Sequence, residues 1–315
     1  MRNSVLCVLF AGHSKQHMFK SKHLIIGMYP VIIYNQKFSV KLKNQPKTSP
    51  LNKDEVVKYL SKYAYVDKMA EKAMESVKYD PSAGLDNLWV MWLGPMPEPI
   101  EMCMATIKNI YPNITVITEE NFDKYIVVPD VIRKKYEQGI IEPAHFSDWV
   151  RVYLLERYGG TWIDASCILL DKIPKFILKQ DFFILQNTNK VDVSNFFIHS
   201  AKDNYMVKMM RIFLEEYWTH EDKAIDYLFF HKFFNFMCKN SEMCKYIFNK
   251  QIPFVNNVVK YFTKFIGRTA DDDAWEYLSK TSFIYKYHHR TEAGKKNPYS
   301  WYYYLLNLYR NHKLP

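Results

Sequence analysis

The chain has 315 residues, so it can bury a large core as one domain or as one domain with appendages. Lysine and arginine total 43 against 33 for aspartate and glutamate, which gives a formal net charge of +10. That charge suits a phosphorylated ligand, an anionic glycan carrier, a membrane surface or nucleic acid. The five cysteines show neither zinc-binding spacing nor a disulfide framework, which favours a reducing compartment over secretion.

Residues 1–84 form an N-terminal extension that the sequence pattern describes poorly. The apolar run at residues 4–11 is shorter than the hydrophobic region of a signal peptide, and the run at residues 24–34 is too short to span a membrane. Apolar positions spaced among lysines and acids predict a helix over residues 53–79. A break at residues 80–84 then separates this partly helical extension from a second unit, residues 85–315.

The second unit alternates predicted strands with predicted helices, a pattern typical of a sheet flanked by helices. Its first strand begins at Leu88 and reaches Trp92. Gly94 follows, and a glycine at that place lets a ligand approach the backbone. The sequence therefore predicts the α/β class, with a candidate binding position at the end of the first strand.

Residues 147–164 contain the pattern S-D-x-x-R followed by G-G-x-x-x-D. Asp148 and Arg151 are three positions apart, so they share one face of a predicted amphipathic helix. The paired glycines end that helix, and a short apolar strand leads to Asp164. Because open α/β sheets bind ligands at the carboxyl ends of their strands, these three side chains suit a charged nucleotide and a metal.

A simpler interpretation of the same residues is an ordinary helix-turn-strand unit. Asp148 and Arg151 would then form a surface ion pair worth roughly 0.2–0.5 kcal/mol, and Asp164 would be a turn residue. An isolated Asp-x-x-Arg pair is usually of that kind. The complete pattern of residues 147–164 is much rarer, and it favours a ligand site.

The remaining chain continues with strands and aromatic-rich helices. Asp226 and His231 fall in one predicted helix, where they either line an acceptor side or belong to a core helix with one satisfied histidine. Three acids at residues 271–273 resemble a metal cluster, but acids favour the first turn of a helix, so we expect capping. The predicted strands are residues 181–186 and 193–199, and the predicted helices are residues 204–218 and 224–238.

A basic segment near the C-terminus is either a surface loop or a set of cations for a diphosphate. The candidate cations are Lys286, His288, His289, Arg290, Lys295 and Lys296.

Residues 147–164 resemble the core motif of the sugar-nucleotide glycosyltransferases of family 32, and within them the capsular polysaccharide synthesis group. The clostridial glucosylating toxins are more distant relatives of the same kind. The strand from Leu88 to Pro95, with its Trp-x-Gly end, is similar to the first strand of that family. The resemblance extends well over residues 85–174 and more loosely over residues 181–309. It implies the A-type glycosyltransferase fold (GT-A), a Rossmann-like mixed sheet flanked by helices, here with an N-terminal extension and helical additions.

The resemblance also implies roles for individual residues. Trp92 would stack on the donor base, with Gly94 and Gly160 also at the donor. Asp148 and Arg151 would hold the donor sugar and nearby nucleotide groups and would be catalytic together with Asp164.

By the same resemblance, Asp164 contacts the ribose and the shell of a divalent cation, Mn²⁺ or Mg²⁺. This chain departs from the family at Ser166, where the full D-x-D motif has a second carboxylate, the ligand that hard divalent ions prefer. His288 lies in the segment that supplies a remaining ligand in many such enzymes. The expected metal ligands are thus Asp164, Ser166 and His288.

The implied activity is transfer of a sugar from a nucleoside diphosphate donor, a UDP-sugar, to a hydroxyl of a surface polysaccharide or lipid-linked glycan, with retention. Asp226 and His231 would lie on the acceptor side. The expected location is the cytoplasm, at the inner face of the membrane, with peripheral contact to anionic lipid. One rival is a sugar-nucleotide-binding protein of the same fold that has lost catalysis. Nucleic-acid binding is disfavoured, because the aromatic residues fall on apolar faces.

Overall fold

The computed structural model of the protein describes residues 51–187, 192–254 and 257–315, so the expectations for residues 4–11 and 24–34 lie outside the described residues. The strands are β1 (Leu88–Met91), β2 (Thr115–Ile117), β3 (Gly160–Ile163), β4 (Cys167–Leu169), β5 (Phe182–Gln186), β6 (Val193–Ser200) and β7 (Ile284–Lys286). The larger sheet has the order β2-β1-β3-β6-β5. Strand β1 pairs parallel with β2 and β3, whereas β6 pairs antiparallel with β3 and β5. Strands β4 and β7 form a separate antiparallel pair.

Helices pack around both sheets. They are α1 (Lys53–Leu60), α2 (Val66–Met74), α3 (Glu98–Ile110), α4 (Phe122–Tyr125), α5 (Asp130–Glu137), α6 (Pro143–Tyr158), α7 (Lys175–Leu178), α8 (Tyr205–His220), α9 (Phe229–Asn240), α10 (Glu242–Lys250), α11 (Tyr261–Phe265), α12 (Asp272–Thr281), α13 (Glu292–Lys296) and α14 (Trp301–Arg310). Short 3₁₀ turns lie at Ser61–Tyr63 and Asn257–Lys260.

The core lies on both faces of the larger sheet, because successive residues of a strand point to opposite sides. Trp89 and Trp162 pack on one face against helices α2, α6 and α8. Val90 and Ile163 pack on the other face with helix α3. A third cluster around Trp301 covers the pair of strands β4 and β7. The predicted α/β class, with a mixed sheet flanked by helices, is confirmed.

Helix α6 and strand β3 follow each other without an intervening loop. The helix is followed by Gly159 at φ 72°, and strand β3 begins with Gly160 at φ 105°. A Cβ atom on Gly160 would lie 2.2 Å from the carbonyl oxygen of Asn87, so a side chain has no room there. The predicted change from helix to strand at the two glycines is confirmed, and it places Asp164 directly after β3.

The described part of the N-terminal extension packs into the same core as the sheet. Asn52 begins helix α1 with a capping box, in which its Oδ1 accepts from the Glu55 amide at 3.0 Å and its own amide donates to Glu55 Oε2 at 2.8 Å. Val56 and Val66 are fully buried in the cluster on the α8 side of the sheet. The helix predicted over residues 53–79 is thus two helices, because the 3₁₀ turn interrupts it. The division at residue 84 stays a prediction.

Most later elements agree with the sequence prediction to within two residues, with one exception. Helix α9 begins at Phe229 and not at residue 224, so Asp226 lies in the segment before it. Asp226 is held there locally, since its Oδ1 accepts from the Leu228 amide at 2.7 Å. The expected capping role of the three acids is confirmed by Asp271, whose Oδ1 accepts from the Ala274 amide at 2.8 Å.

Candidate functional site

The candidate site lies at the edge of the larger sheet where the parallel strands β1 and β3 end. Asp164 follows β3, and its amide donates to the Phe196 carbonyl of β6 at 2.9 Å. Trp92 follows β1, and its amide donates to the Ile117 carbonyl of β2 at 3.0 Å. Both predicted positions are therefore fixed by the backbone at the edge where ligands of open α/β sheets bind.

Arg151 joins the two predicted aspartates. Its Nη1 lies 3.2 Å from Asp148 Oδ1, and its Nη2 lies 3.3 Å from Asp164 Oδ1. Asp148 and Arg151 are buried, with 7% and 4% of their surfaces exposed. The alternative of a surface ion pair is therefore wrong, and the buried pair forms one cluster with the partly buried Asp164.

Further contacts hold the Arg151 guanidinium in one orientation. Its Nη1 donates to the Asn195 carbonyl at 2.8 Å, and its Nε donates to the Ser147 carbonyl at 3.2 Å. The guanidinium carbon also lies 5.4 Å from the ring centre of Trp162, within reach of a cation–π interaction. With the Nη2 donation to Ser147 Oγ at 3.2 Å and the two aspartates, these contacts engage all five donors of the guanidinium and fix its position.

Asp164 is surrounded by donors. Trp162 Nε1 donates to its Oδ1 at 2.7 Å, and the Lys286 ammonium pairs with its Oδ2. Burial alone would raise the pKa of Asp164, but the charges of Lys286 and Arg151 outweigh burial and lower the pKa to about 2. Asp164 is therefore ionised throughout the physiological pH range.

Asp148 has the opposite electrostatic environment. Burial raises its pKa to about 6, although the charge of Arg151 and a hydrogen bond from Asn195 both favour the ionised form. The negative charge of Asp164 adds to the increase. Asp148 and Asp164 both pair with Arg151, but their pKa values differ because only Asp164 also forms an ion pair with Lys286.

Two members of the cluster were missed as site residues by sequence analysis, and a third was only a general candidate. Asn195 donates its Nδ2 to Asp148 Oδ1 at 2.8 Å, and Trp162 binds Asp164. The available signal for Asn195 was a polar residue inside an apolar strand. Lys286 was named among the basic residues near the C-terminus, but its pairing with Asp164 depends on the contact between distant strands.

Trp92 and Gly94 lie beside this cluster at the end of β1. Trp92 is half-buried, its Nε1 donates to the Pro95 carbonyl at 3.2 Å, and its ring centre lies 5.8 Å from that of His289. Gly94 has φ 87°, which favours glycine. Burial, together with the charge of Arg290, lowers the pKa of His289 to about 4, so the partner ring of Trp92 is neutral. The role of Trp92 in stacking on a base stays a prediction.

Gly160 lies at the other end of β3 from Asp164. Its close contact with Asn87 leaves no room for a side chain, which explains why a glycine is needed here without any role in ligand binding. The donor-binding role implied for Gly160 stays a prediction that this placement does not favour.

The two residues expected on the acceptor side have different environments. Asp226 Oδ2 pairs with Lys232 at 2.9 Å. His231 Nδ1 is buried and has no hydrogen-bond partner among the described residues, and the same holds for Asn235 Oδ1 one turn further along α9. Burial, aided by the charge of Arg151, lowers the pKa of His231 to about 3. The neutral imidazole thus has one polar atom without a partner among the described residues, and both the acceptor-side role and the core-helix alternative stay predictions.

Comparison with known proteins shows the family of the chain. Residues 34–305 match the family model described as capsular polysaccharide synthesis protein. The chain belongs to this family. The match confirms the resemblance inferred from the motif and supports a glycosyltransferase-like function in capsular polysaccharide synthesis.

Other comparisons add less. No curated protein matches the chain. Six chains of solved structures match, and one of them is described as PaToxG glycosyltransferase. It is 13% identical with a TM-score of 0.38, and the alignment covers 81% of this capsular synthesis protein and 96% of that chain. Among the described helices, none is long and apolar enough to cross a membrane.

The side chains of this capsular synthesis protein are a poor fit to the divalent cation that its family resemblance implies. Within the described ranges, no group of three or more His, Cys, Asp or Glu side chains could hold a metal. Both oxygens of Asp164 already have donors, Ser166 offers only a hydroxyl, and its carbonyl accepts from the Tyr287 amide at 2.8 Å. His288 is exposed and joins no such group. Ligation of a metal by Asp164, Ser166 and His288 stays a prediction. The groups around Asp164 are the cations Arg151 and Lys286 and the indole N–H of Trp162, and such groups bind anions.

Proposed function

We propose that this capsular polysaccharide synthesis protein transfers a sugar from a nucleoside diphosphate, a UDP-sugar, to a hydroxyl of a surface glycan. The observation that supports the proposal is the cluster of buried Asp148 and Arg151 with the partly buried Asp164, which Lys286 joins through its pairing with Asp164. It lies at the carboxyl edge of two parallel strands and beside a half-buried tryptophan. A sugar nucleotide needs an aromatic surface for its base, hydrogen-bond acceptors for sugar hydroxyls, and cations for its phosphates.

In this proposal the donor lies along the edge of the sheet. Trp92 stacks on the base and Asp164 accepts from the ribose, while Asp148 and Arg151 bind the sugar. The configuration at the anomeric carbon is retained, because the acceptor hydroxyl attacks on the face that the diphosphate leaves. The departing phosphate oxygen takes the acceptor proton, so no protein side chain is required as a general base.

We place the acceptor on the His231 side and the reaction at the cytoplasmic face of the membrane. The family resemblance places Asp226 and His231 on that side, and the buried Nδ1 of His231 has no partner among the described residues. A net charge of +10 supports peripheral contact with anionic lipid and use of a lipid-linked acceptor. Four buried cysteines, Cys103, Cys167, Cys238 and Cys244, have free thiols, which suits a reducing compartment.

The test is turnover of a panel of nucleotide sugars by the purified chain. Glycosyltransferases hydrolyse their own donor slowly without acceptor, so we expect release of free sugar and UDP from one UDP-sugar. NMR of the transferred product then reports whether the anomeric configuration is retained. Failure of every nucleotide sugar to be cleaved or transferred, with or without Mn²⁺, contradicts the proposal. Tight binding of one donor without cleavage would instead support the rival of a sugar-nucleotide-binding protein.

A further inference from the structure

We propose that Lys286 stands in the place of a divalent cation, so that the leaving diphosphate is stabilised by side chains and donor cleavage needs no metal. This inference rests on the proposed transferase function. It goes beyond that function, because the sequence motif and the family resemblance both imply a metal at Asp164.

The first argument is that both oxygens of Asp164 already accept from cationic or neutral donors, so a metal would have to compete with them. Arg151 and Trp162 share its Oδ1, and Lys286 occupies its Oδ2. A divalent ion bound to either oxygen would lie next to two fixed positive charges. The position where the family motif has a second carboxylate is Ser166, a neutral residue with 8% of its surface exposed. The carboxylate that would bind a metal is thus already paired with two cations, and the second carboxylate of the motif is missing.

The second argument is that the fold directs Lys286 at this position. Lys286 pairs with Cys167 across the antiparallel strands β7 and β4. Its neighbours Tyr285 and Tyr287 are fully buried in the cluster around Trp301. Because side chains alternate along a strand, Lys286 must leave on the opposite side, toward Asp164.

Lys286 is held firmly but remains within reach of a ligand. Its Nζ lies 5.5 Å from the ring centre of Phe196, and 21% of its side chain is exposed. An ammonium has three donors, and the contact with Asp164 uses one of them. The other two can bind phosphate oxygens at the edge of the sheet without any loss of the pairing with Asp164.

The charges of the cluster balance before a ligand arrives. Arg151 and Lys286 carry two positive charges, and Asp148 and Asp164 carry two negative charges when both are ionised. A bound diphosphate therefore adds its negative charge to a cluster that has no net charge of its own. Preorganised cations in a partly dry site stabilise such charge without reorganisation.

The chemical step needs no further component. The bond between the anomeric carbon and the diphosphate oxygen breaks, and its electron pair stays on that oxygen. The acceptor hydroxyl oxygen forms the new bond to the anomeric carbon, and its proton passes to the leaving phosphate. Lys286 keeps its protons and only donates hydrogen bonds to the phosphate as negative charge develops.

The experiment measures binding and turnover in the presence of EDTA and again with added Mn²⁺. Binding is titrated with UDP and GDP, each beside its nucleoside, and turnover is measured with the matching nucleotide sugars. The variants are Lys286→Met, which removes the charge, and Lys286→Arg, which keeps it. Lys280→Met is the matched control, because Lys280 is exposed and pairs with Glu276 one turn away on α12.

We expect the unmodified chain to bind its nucleoside diphosphate and cleave its donor equally well in EDTA and in Mn²⁺. Lys286→Met should weaken diphosphate binding by about 10- to 100-fold, the loss of one charged hydrogen bond, with nucleoside binding unchanged. Its turnover should fall by about 100-fold or more. Lys286→Arg should recover much of both, and Lys280→Met should equal the unmodified chain. Thermal melting of each variant shows that the folded form is being compared.

Each contrary result has a distinct meaning. Binding or turnover that appears only with Mn²⁺ overturns the inference and leaves the proposed transferase standing. Normal diphosphate affinity of folded Lys286→Met also overturns it. If no nucleoside diphosphate binds under either condition, the proposed function fails and this inference fails with it.

Discussion

The side-chain amide of Asn195 donates a hydrogen bond of 2.8 Å to Oδ1 of Asp148. This contact ties strand β6 to helix α6 at the centre of the candidate site. It favours the ionised form of a carboxylate whose pKa burial raises to about 6. Asn195 is therefore a positioning residue that also sets the charge of its neighbour.

Asn195→Ala should raise the pKa of Asp148 further, because the hydrogen bond to the ionised form is lost. If turnover needs ionised Asp148, the acidic limb of the pH–rate profile moves to higher pH. The measurement is donor hydrolysis between about pH 5 and 8, the window around the Asp148 pKa of about 6. An unchanged acidic limb together with an ordinary loss of stability would leave Asn195 a purely structural residue.

Asp148→Asn should alter the pH dependence of stability in a defined direction. The pKa of Asp148 is about 6 in the folded chain, against 3.8 for an aspartate in the unfolded chain. Between these two pH values the folded chain therefore keeps a proton on Asp148 that the unfolded chain has released. Ionisation of Asp148 therefore lowers the free energy of unfolding as pH rises from about 4 to 6, and the total decrease is roughly 3 kcal/mol once the group is ionised in both states. Relative to the unmodified chain, Asp148→Asn should gain stability over that window. Melting temperatures at intervals of pH test this, and a constant difference between the two proteins would refute it.

Asp164→Asn should remove most turnover while the fold persists. The asparagine keeps an oxygen for Trp162 and Arg151, but it loses the charge that holds Lys286. We expect turnover to fall by about 100-fold or more, the usual scale for a preorganised electrostatic group. The matched control is Asp273→Asn, on the exposed first turn of α12. Folded Asp164→Asn with the turnover of that control would show that Asp164 is structural.

Trp92→Ala should weaken nucleotide binding by roughly 1–3 kcal/mol, the range for stacking of a base on an aromatic ring. Trp92 is half-buried, so its removal should cost less stability than the roughly 3–5 kcal/mol typical of a core tryptophan. Trp92→Phe keeps an aromatic surface and should recover most of the affinity. Nucleotide titration and thermal melting of the same samples separate the two effects. A variant that melts far lower yet binds nucleotide normally would exclude stacking.

Much of the motif could be predicted from sequence because it is local. The spacing of Asp148 and Arg151 on one helix face and the two glycines that end the helix depend only on neighbouring residues. The alternation of strands and helices likewise predicted the mixed sheet, and the motif itself indicated the family that residues 34–305 match. Helix α9 was placed too early, because the segment around Asp226 is held by local hydrogen bonds that periodicity does not reveal.

Only the tertiary structure decided what surrounds the predicted aspartates. Pairing of β4 with β7 brings Lys286 to Asp164, and pairing of β3 with β6 brings Asn195 to Asp148. Such pairings join segments far apart in the chain, and no spacing rule specifies them. Burial then changes the chemistry, since the same Asp-x-x-Arg sequence on a surface would have ordinary pKa values and a weak ion pair. The sequence by itself determined which groups form the motif, and packing determined their charges and their partners, because desolvation and long-range contact exist only in the folded chain.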